Sequence, residues 1–243
     1  MEYCVETRNL TKNYGSFMAV EELNLHIKEG DIYGMIGRNG AGKTTTLRML
    51  SGLATPTAGE FALFGKNYET VKKENLFTQV GTLIESPGLY PEFDAFDNLK
   101  LKCLLCGIHD DDYIRKLISR VGLREAGNRK VRRFSLGMKQ RLGIALALVG
   151  DPKLVILDEP INGLDPQGIV ETRELIRRLN EEEKITFIIS SHILGELEKI
   201  ATCYGIIHEG KLVRELPAEA MEEESNGDLE EFYFSLTGGA SNV

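Results

Sequence analysis

Gly37-Arg38-Asn39-Gly40-Ala41-Gly42-Lys43-Thr44 is the stretch that decides how the rest of the chain is read. Two glycines five positions apart, followed by lysine and a hydroxyl, make the pattern of a phosphate-binding loop. Upstream, Ile32-Tyr33-Gly34-Met35-Ile36 is a short apolar run suited to a buried strand, and downstream Leu47 and Leu50 recur at helical spacing. The loop is therefore expected between a strand and a helix, the context in which the pattern carries chemistry. Gly37, Gly40 and Gly42 let successive N–H groups turn inward around a phosphate, and the helix start adds its partial positive charge. Lys43 is then placed for the β- and γ-phosphates of a nucleotide, and the Thr44 hydroxyl for Mg²⁺.

A chain of 243 residues has room for one large α/β domain, or for a main domain carrying a smaller insert. Its formal charge of -8 argues against a sequence-independent hold on DNA or RNA, which needs clustered Lys and Arg. No run of about 18 apolar residues occurs, and the first six residues lack the basic and apolar regions of a signal peptide. The chain is expected to be soluble, without direct membrane insertion. Cys4, Cys103, Cys106 and Cys203 are too scattered for a disulfide framework. Cys103 and Cys106, with His109 nearby, raise a metal or redox site. No second CxxC completes it, and Gly107 stands where a haem-attachment pattern needs histidine. Among Leu101, Leu104 and Leu105, both cysteines read as small core residues of a helix.

Val5 to Ile27 alternates around Asn13-Tyr14-Gly15-Ser16, which predicts a β-hairpin with Tyr14 at its turn, either stacking on a purine or serving the turn itself. Glu60 to Phe64 and Phe77 to Ile84 read as further strands, the second ending in Glu85-Ser86-Pro87-Gly88. From there to about Gly150 the pattern is helical. Its last helix is capped by Ser135 and carries Leu142, Ala145, Leu146 and Val149 on one stripe. Leu154-Val155-Ile156-Leu157 is a buried parallel strand delivering Asp158 and Glu159 at its carboxyl end, where ligands bind in open α/β sheets. Asp158 suits a metal held through water, and Glu159 suits the attacking water; the alternative is an acidic helix start without chemistry. Asn162 to Pro166 is a turn, and the following helix points Ile169, Ile176 and Leu179 inward, with Glu174 four residues before Arg178 outside. Ile185 to Ser191 is a strand with His192 at its end, followed by strands at Tyr204 to Ile207 and Leu212-Val213. The acidic tail from Pro217 carries Leu229, Phe232, Tyr233 and Leu236 on a helical stripe, so it is expected to dock on the domain.

Phe134-Ser135-Leu136-Gly137-Met138-Lys139-Gln140-Arg141 resembles the signature sequence of the nucleotide-binding subunits of ATP-binding-cassette transporters. Phosphate loop, signature, acidic strand end, Asp165 loop and His192 follow in that family's order, so the resemblance covers residues 3 to 215. It implies an α/β P-loop NTPase core of RecA-like type, with an N-terminal antiparallel β subdomain and an inserted α-helical subdomain. The cassette would span 1–216, with its core in 1–85 and 151–216 and its helical part in 86–150; residues 217–243 form the tail. It also implies ATP and Mg²⁺ as cofactors and ATP hydrolysis coupled to transport by a separate integral membrane permease. A second cassette would pair head to tail with this one, at the cytoplasmic face of the membrane. Tyr14 would stack on adenine; Gly37, Asn39, Gly40, Ala41, Gly42, Lys43, Thr44 and Thr45 would hold the phosphates; Thr44, Asp158 and Glu85 would face the metal. Glu159, His192 and Lys43 would be catalytic, with Ser135, Gly137 and Asp165 acting across the dimer. The permease would dock a short helix near Leu89, Tyr90, Phe93 and Phe96, the alternative being that these side chains are internal packing.

Leu136 and Met138 stand where the family usually has glycine and glutamine, and Glu85 where most members have glutamine. These departures resemble the bacterial subfamily that exports, or confers immunity to, bacitracin and lantibiotic peptides. The competing reading is a cassette ATPase acting on nucleic acid or ribosomes. The one dense basic patch, Arg129-Lys130-Val131-Arg132-Arg133, is read instead as a solvated loop or one near lipid or a partner.

Overall fold

Alternating apolar and polar residues near the start of the chain form the first sheet of the computed structural model, which describes residues 3–225 and 228–238. Strand β1 (Tyr3–Tyr14) turns through Gly15 and Ser16 into β2 (Phe17–Leu23), the predicted hairpin. β1 also pairs with β3 (His26–Lys28) and β5 (Ala58–Leu63), and β6 (Lys66–Asn67) lies beyond β5, every pair antiparallel.

The second sheet carries the site. Its order is β11 (Lys211–Pro217), β10 (Cys203–His208), β4 (Ile32–Ile36), β9 (Thr186–Ser191), β8 (Leu154–Asp158) and β7 (Val80–Leu83). All neighbours run parallel except the β10–β11 hairpin. Such a sheet is covered on both faces, which is why β4, β8 and β9 read as continuous apolar runs. Successive side chains still alternate: Val155, Leu157, Phe187 and Ile189 join one core, while Leu154, Ile156 and Ile188 join the other with Leu47 and the first sheet.

Helices fill the remaining chain: α1 (Lys43–Leu50), α2 (Tyr68–Lys73), α3 (Ala95–Leu105), α4 (Asp111–Arg120), α5 (Leu136–Ala147), α6 (Pro166–Glu183), α7 (Leu194–Leu197), α8 (Ala218–Ser225) and α9 (Leu229–Thr237). Side-chain caps start most of them. Asn67, Asp94, Asp110, Ser135, Asp165 and Asp228 each accept a first-turn N–H. α3, α4 and α5 lie between β7 and β8, matching the helical pattern read there.

Four expectations are corrected. Phe77 does not belong to a strand: Leu76–Gln79 is a 3-10 turn, closed by the Thr78 hydroxyl on the Asn75 carbonyl, and only Val80–Leu83 pairs with β8. The turn lets the Phe77 ring lie over Gly52, where a Cβ would come within 2.9 Å of it. Cys103 is buried in α3, but Cys106 is exposed, because the helix ends at Leu105 and Gly107 turns the chain at φ +74. Glu174 pairs with Arg177, not Arg178, whose guanidinium donates instead to the Arg120 carbonyl. Leu89 and Phe96 serve internal packing: both lie partly buried against the main core, Phe96 with Arg115 and Lys100 against its ring and Leu89 beside Pro91 in a cleft.

Ile188, fully buried at the centre of β9, tests the two-sided burial. Ile188→Ala should lower the unfolding free energy by about 2–5 kcal/mol, read from urea denaturation followed by circular dichroism.

Candidate functional site

Three neighbouring strands, β4, β9 and β8, end at the same edge of the sheet and deliver the phosphate loop, His192 and the two acids together. The loop closes on Gly42, whose φ of +103 is open to glycine and strained for other residues. A Cβ there would sit 2.6 Å from the Ala19 carbonyl oxygen of β2. Gly42 caps α1 without a side chain, so the first-turn N–H groups of Lys43, Thr44 and Thr45 have neither an intrahelical partner nor a capping oxygen. Such a helix start is a ready anion site. Asn39 and Gly40 are exposed at the loop tip, while Ala41 is buried and its N–H returns to the Arg38 carbonyl at 3.1 Å.

Lys43 is 5% exposed. Its ammonium donates to the carbonyls of Gly37 at 2.6 Å and Arg38 at 3.3 Å, and lies 3.5 Å from Glu159 Oε1. The other Glu159 oxygen is 2.6 Å from His192 Nδ1. An ionised carboxylate only accepts, so Nδ1 carries the proton in this contact and Nε2 is left for another partner. Asp158, 4% exposed, accepts from the Thr44 hydroxyl at 2.8 Å on one oxygen and from the Ser190 hydroxyl on the other. The Glu159 N–H donates to Ser190 Oγ at 2.9 Å and to its carbonyl at 3.2 Å. These bonds hold Glu159 at φ +51, a left-handed conformation uncommon for a side-chain-bearing residue and one that re-aims the carboxylate away from Asp158.

The Thr44 hydroxyl and Asp158 carboxylate form a hard oxygen pair that fits Mg²⁺, an ion that keeps most of its positions for waters and phosphate oxygens. Among the described residues, no group of three or more His, Cys, Asp or Glu is arranged to hold a metal alone. Glu85 makes a different contact. It lies in an exposed turn at φ +65, and its carboxylate pairs with Arg48 on the last turn of α1.

The remaining predicted residues form a second group. Ser135 caps α5 by accepting the Met138 N–H at 3.2 Å. Asp165 caps α6 through the Gly168 N–H at 3.0 Å, and a Cβ on Gly137 would lie 3.8 Å from Gly168 Cα. Ser135, Gly137 and Asp165 are thus drawn together by the packing of α5 on α6. Tyr14, at the end of β1, is exposed, and Lys12 Nζ lies 5.1 Å from its ring centre.

Sequence reasoning missed Ser190 as the bridge between the two acids. Its trace is the change from Ile188-Ile189 to Ser190-Ser191, since an apolar strand rarely ends in buried hydroxyls without partners to satisfy. It also missed what fixes the segment after His192. Glu196 in α7 meets Arg173 of α6 at 2.8 Å, and the hydrogen bond from Lys199, with Arg173 adding to it, holds the Glu196 carboxyl below its ordinary value.

Residues 20–162 match a family model described as ABC transporter. The bacitracin transport ATP-binding protein of Bacillus licheniformis is 49% identical over 230 residues, spanning 95% of this chain and 75% of that protein. A lantibiotic transport ATP-binding protein of Streptococcus pyogenes is 42% identical over 229 residues, spanning 94% and 95%. Among solved structures, a dimeric ATP-binding cassette in a post-hydrolysis state, bound to ADP and phosphate, superposes with a TM-score of 0.77. It is 26% identical and covers 88% of this chain and 98% of its own.

Gly42→Ala should weaken ATP binding by roughly ten- to a hundredfold, because strain and the Ala19 clash both push the loop off its conformation. Isothermal titration with ATP checks this; unchanged affinity would remove Gly42 from the site.

Proposed function

The chain belongs to the ABC transporter family as an ATP-binding, ATP-hydrolysing subunit, and we propose that it powers a separate membrane permease exporting peptide antibiotics of the bacitracin or lantibiotic kind. The convergence of Lys43, Glu159 and His192 at one sheet edge carries the catalytic part of this reading. First-turn N–H groups of α1 and the Lys43 ammonium bind the phosphates. Thr44 and Asp158 would hold Mg²⁺, which when bound would neutralise charge on the phosphate oxygens. Glu159, turned toward Lys43 and His192, orients the attacking water and takes its proton. His192 donates to Glu159 through Nδ1 and presents its other ring nitrogen, and Ser190 keeps the Glu159 backbone in place. Each of these groups acts on the transferred phosphoryl by position and charge, the main resource in phosphoryl transfer.

Ser135, Gly137 and Asp165 form their own cluster in the chain, which supports a second copy completing each site head to tail. ATP then acts as the bridge: the start of α5 from one copy covers the nucleotide held by the loop of the other, and hydrolysis releases the pair. Likeness to a cassette described as dimeric supports the same arrangement. Among the described residues no helix is long and apolar enough to cross a membrane; in this reading the permease holds the chain at the cytoplasmic face. The surface offered to that permease is a groove of about 900 Å³ between the β7 segment and α3, where Tyr90 and Leu105 are 52% and 79% exposed. The substrate class rests on the relatives' identities of 49% and 42%.

Glu159→Gln should retain ATP binding, slow turnover by about 10²- to 10⁴-fold and accumulate an ATP-bound dimer on gel filtration. Turnover near the wild-type rate would remove Glu159 as the base. Tyr90→Asp should abolish co-purification with the permease while leaving ATP binding intact, and an undiminished complex would move the docking surface elsewhere.

A further inference from the structure

We infer that Tyr233, on the C-terminal helix α9, is a positioning residue for ATP binding, because its hydroxyl grips the same peptide unit of the phosphate loop that Lys43 grips from the other side. Asp228 starts α9 by accepting the Glu231 N–H, and Leu229 and Tyr233, one helical turn apart, are both buried against the main core. The helix packs against α8 and against α7, the segment that follows His192. This docking carries the Tyr233 hydroxyl, on a residue 4% exposed, to the Arg38 N–H at 3.2 Å.

The Arg38 N–H and the Gly37 carbonyl belong to one planar trans peptide, in which the two groups point in opposite directions. Lys43 Nζ donates to that carbonyl at 2.6 Å. The peptide is therefore clamped at both ends, and turning it over would break the Lys43 and Tyr233 bonds together. Its orientation aims the loop that follows, whose N–H groups and lysine meet the phosphates. A residue some 195 positions from Arg38 thus sets the geometry of the loop. A cavity of about 420 Å³ lies between helix and loop, with Arg38, Asn39 and His192 on one side and Glu230, Tyr233 and Phe234 on the other. By linkage, whatever loosens α9 weakens nucleotide binding to the same degree that nucleotide tightens α9.

The inference rests on residues 37–45 being the ATP site. The test uses the full chain as wild type, Tyr233→Phe and Lys43→Ala, with the ATP dissociation constant from calorimetry and the thermal midpoint measured with and without ATP. Tyr233→Phe keeps the ring and removes one hydrogen bond. It should weaken ATP binding about three- to tenfold. The nucleotide-free midpoint should stay within about 2 °C of wild type, the ATP-induced rise should shrink, and turnover at saturating ATP should change less than about twofold. Lys43→Ala should lose far more affinity. An unchanged dissociation constant in Tyr233→Phe beside a binding wild type overturns the inference alone, as does a fall in the nucleotide-free midpoint with affinity intact. Absence of ATP binding by the wild-type chain overturns the reading of the loop and this inference with it.

Discussion

A buried ammonium is the constraint around which this site is built. Lys43 is almost wholly out of water, and an ion so placed is tolerated only when charge and hydrogen bonds replace its hydration. Two loop carbonyls and one Glu159 oxygen supply them. That requirement propagates outward. Glu159 reaches the lysine from a left-handed backbone, the backbone is held by Ser190, and Ser190 spends its own proton on Asp158. Asp158 in turn holds the hydroxyl of Thr44, the residue next to the lysine. The ring of contacts closes on itself across β4, β9 and β8.

The strand order makes this possible. Because β9 lies between β4 and β8, its terminal residues face both the phosphate loop and the acids. Ser190 is paired in register with Asp158, and Ser191 with Ile36, immediately before the loop. The same edge receives α9 from the far end of the chain, so the tail is part of the surroundings of the loop. On the opposite flank, Arg48 at the end of α1 holds Glu85 in the turn after β7. This ion pair is exposed and weak as a source of stability. Its position matters more, since it ties the helix that begins at the phosphate loop to the turn that follows β7.

Ser135, Gly137 and Asp165 illustrate a site divided between two surfaces. Within one chain they serve local structure, as helix caps and as a close approach between α5 and α6. Ser135 and Asp165 are exposed and Gly137 half-buried, so they gain a second use only when another molecule arrives, which is the physical sense of the head-to-tail pairing proposed here. Two relatives that match nearly all of this chain are described as transport ATP-binding proteins.

What the sequence determined by itself is local. The glycine pattern with its lysine and threonine, the apolar runs of β4, β8 and β9, the acids after Leu157, and the cap at Ser135 each depend on residues within a few positions, where backbone freedom, side-chain period and capping chemistry act. Where local rules competed with packing, the reading slipped: Phe77 left its strand for Gly52, Cys106 fell beyond the last turn of α3, and Phe96 turned toward Arg115. Tertiary structure alone decided that Ser190 bridges two acids, that Glu85 meets Arg48 and that Tyr233 meets Arg38, because those pairs lie from 31 to 195 residues apart. No local pattern encodes them. They exist because buried polar groups must find partners wherever the packed chain brings one within reach.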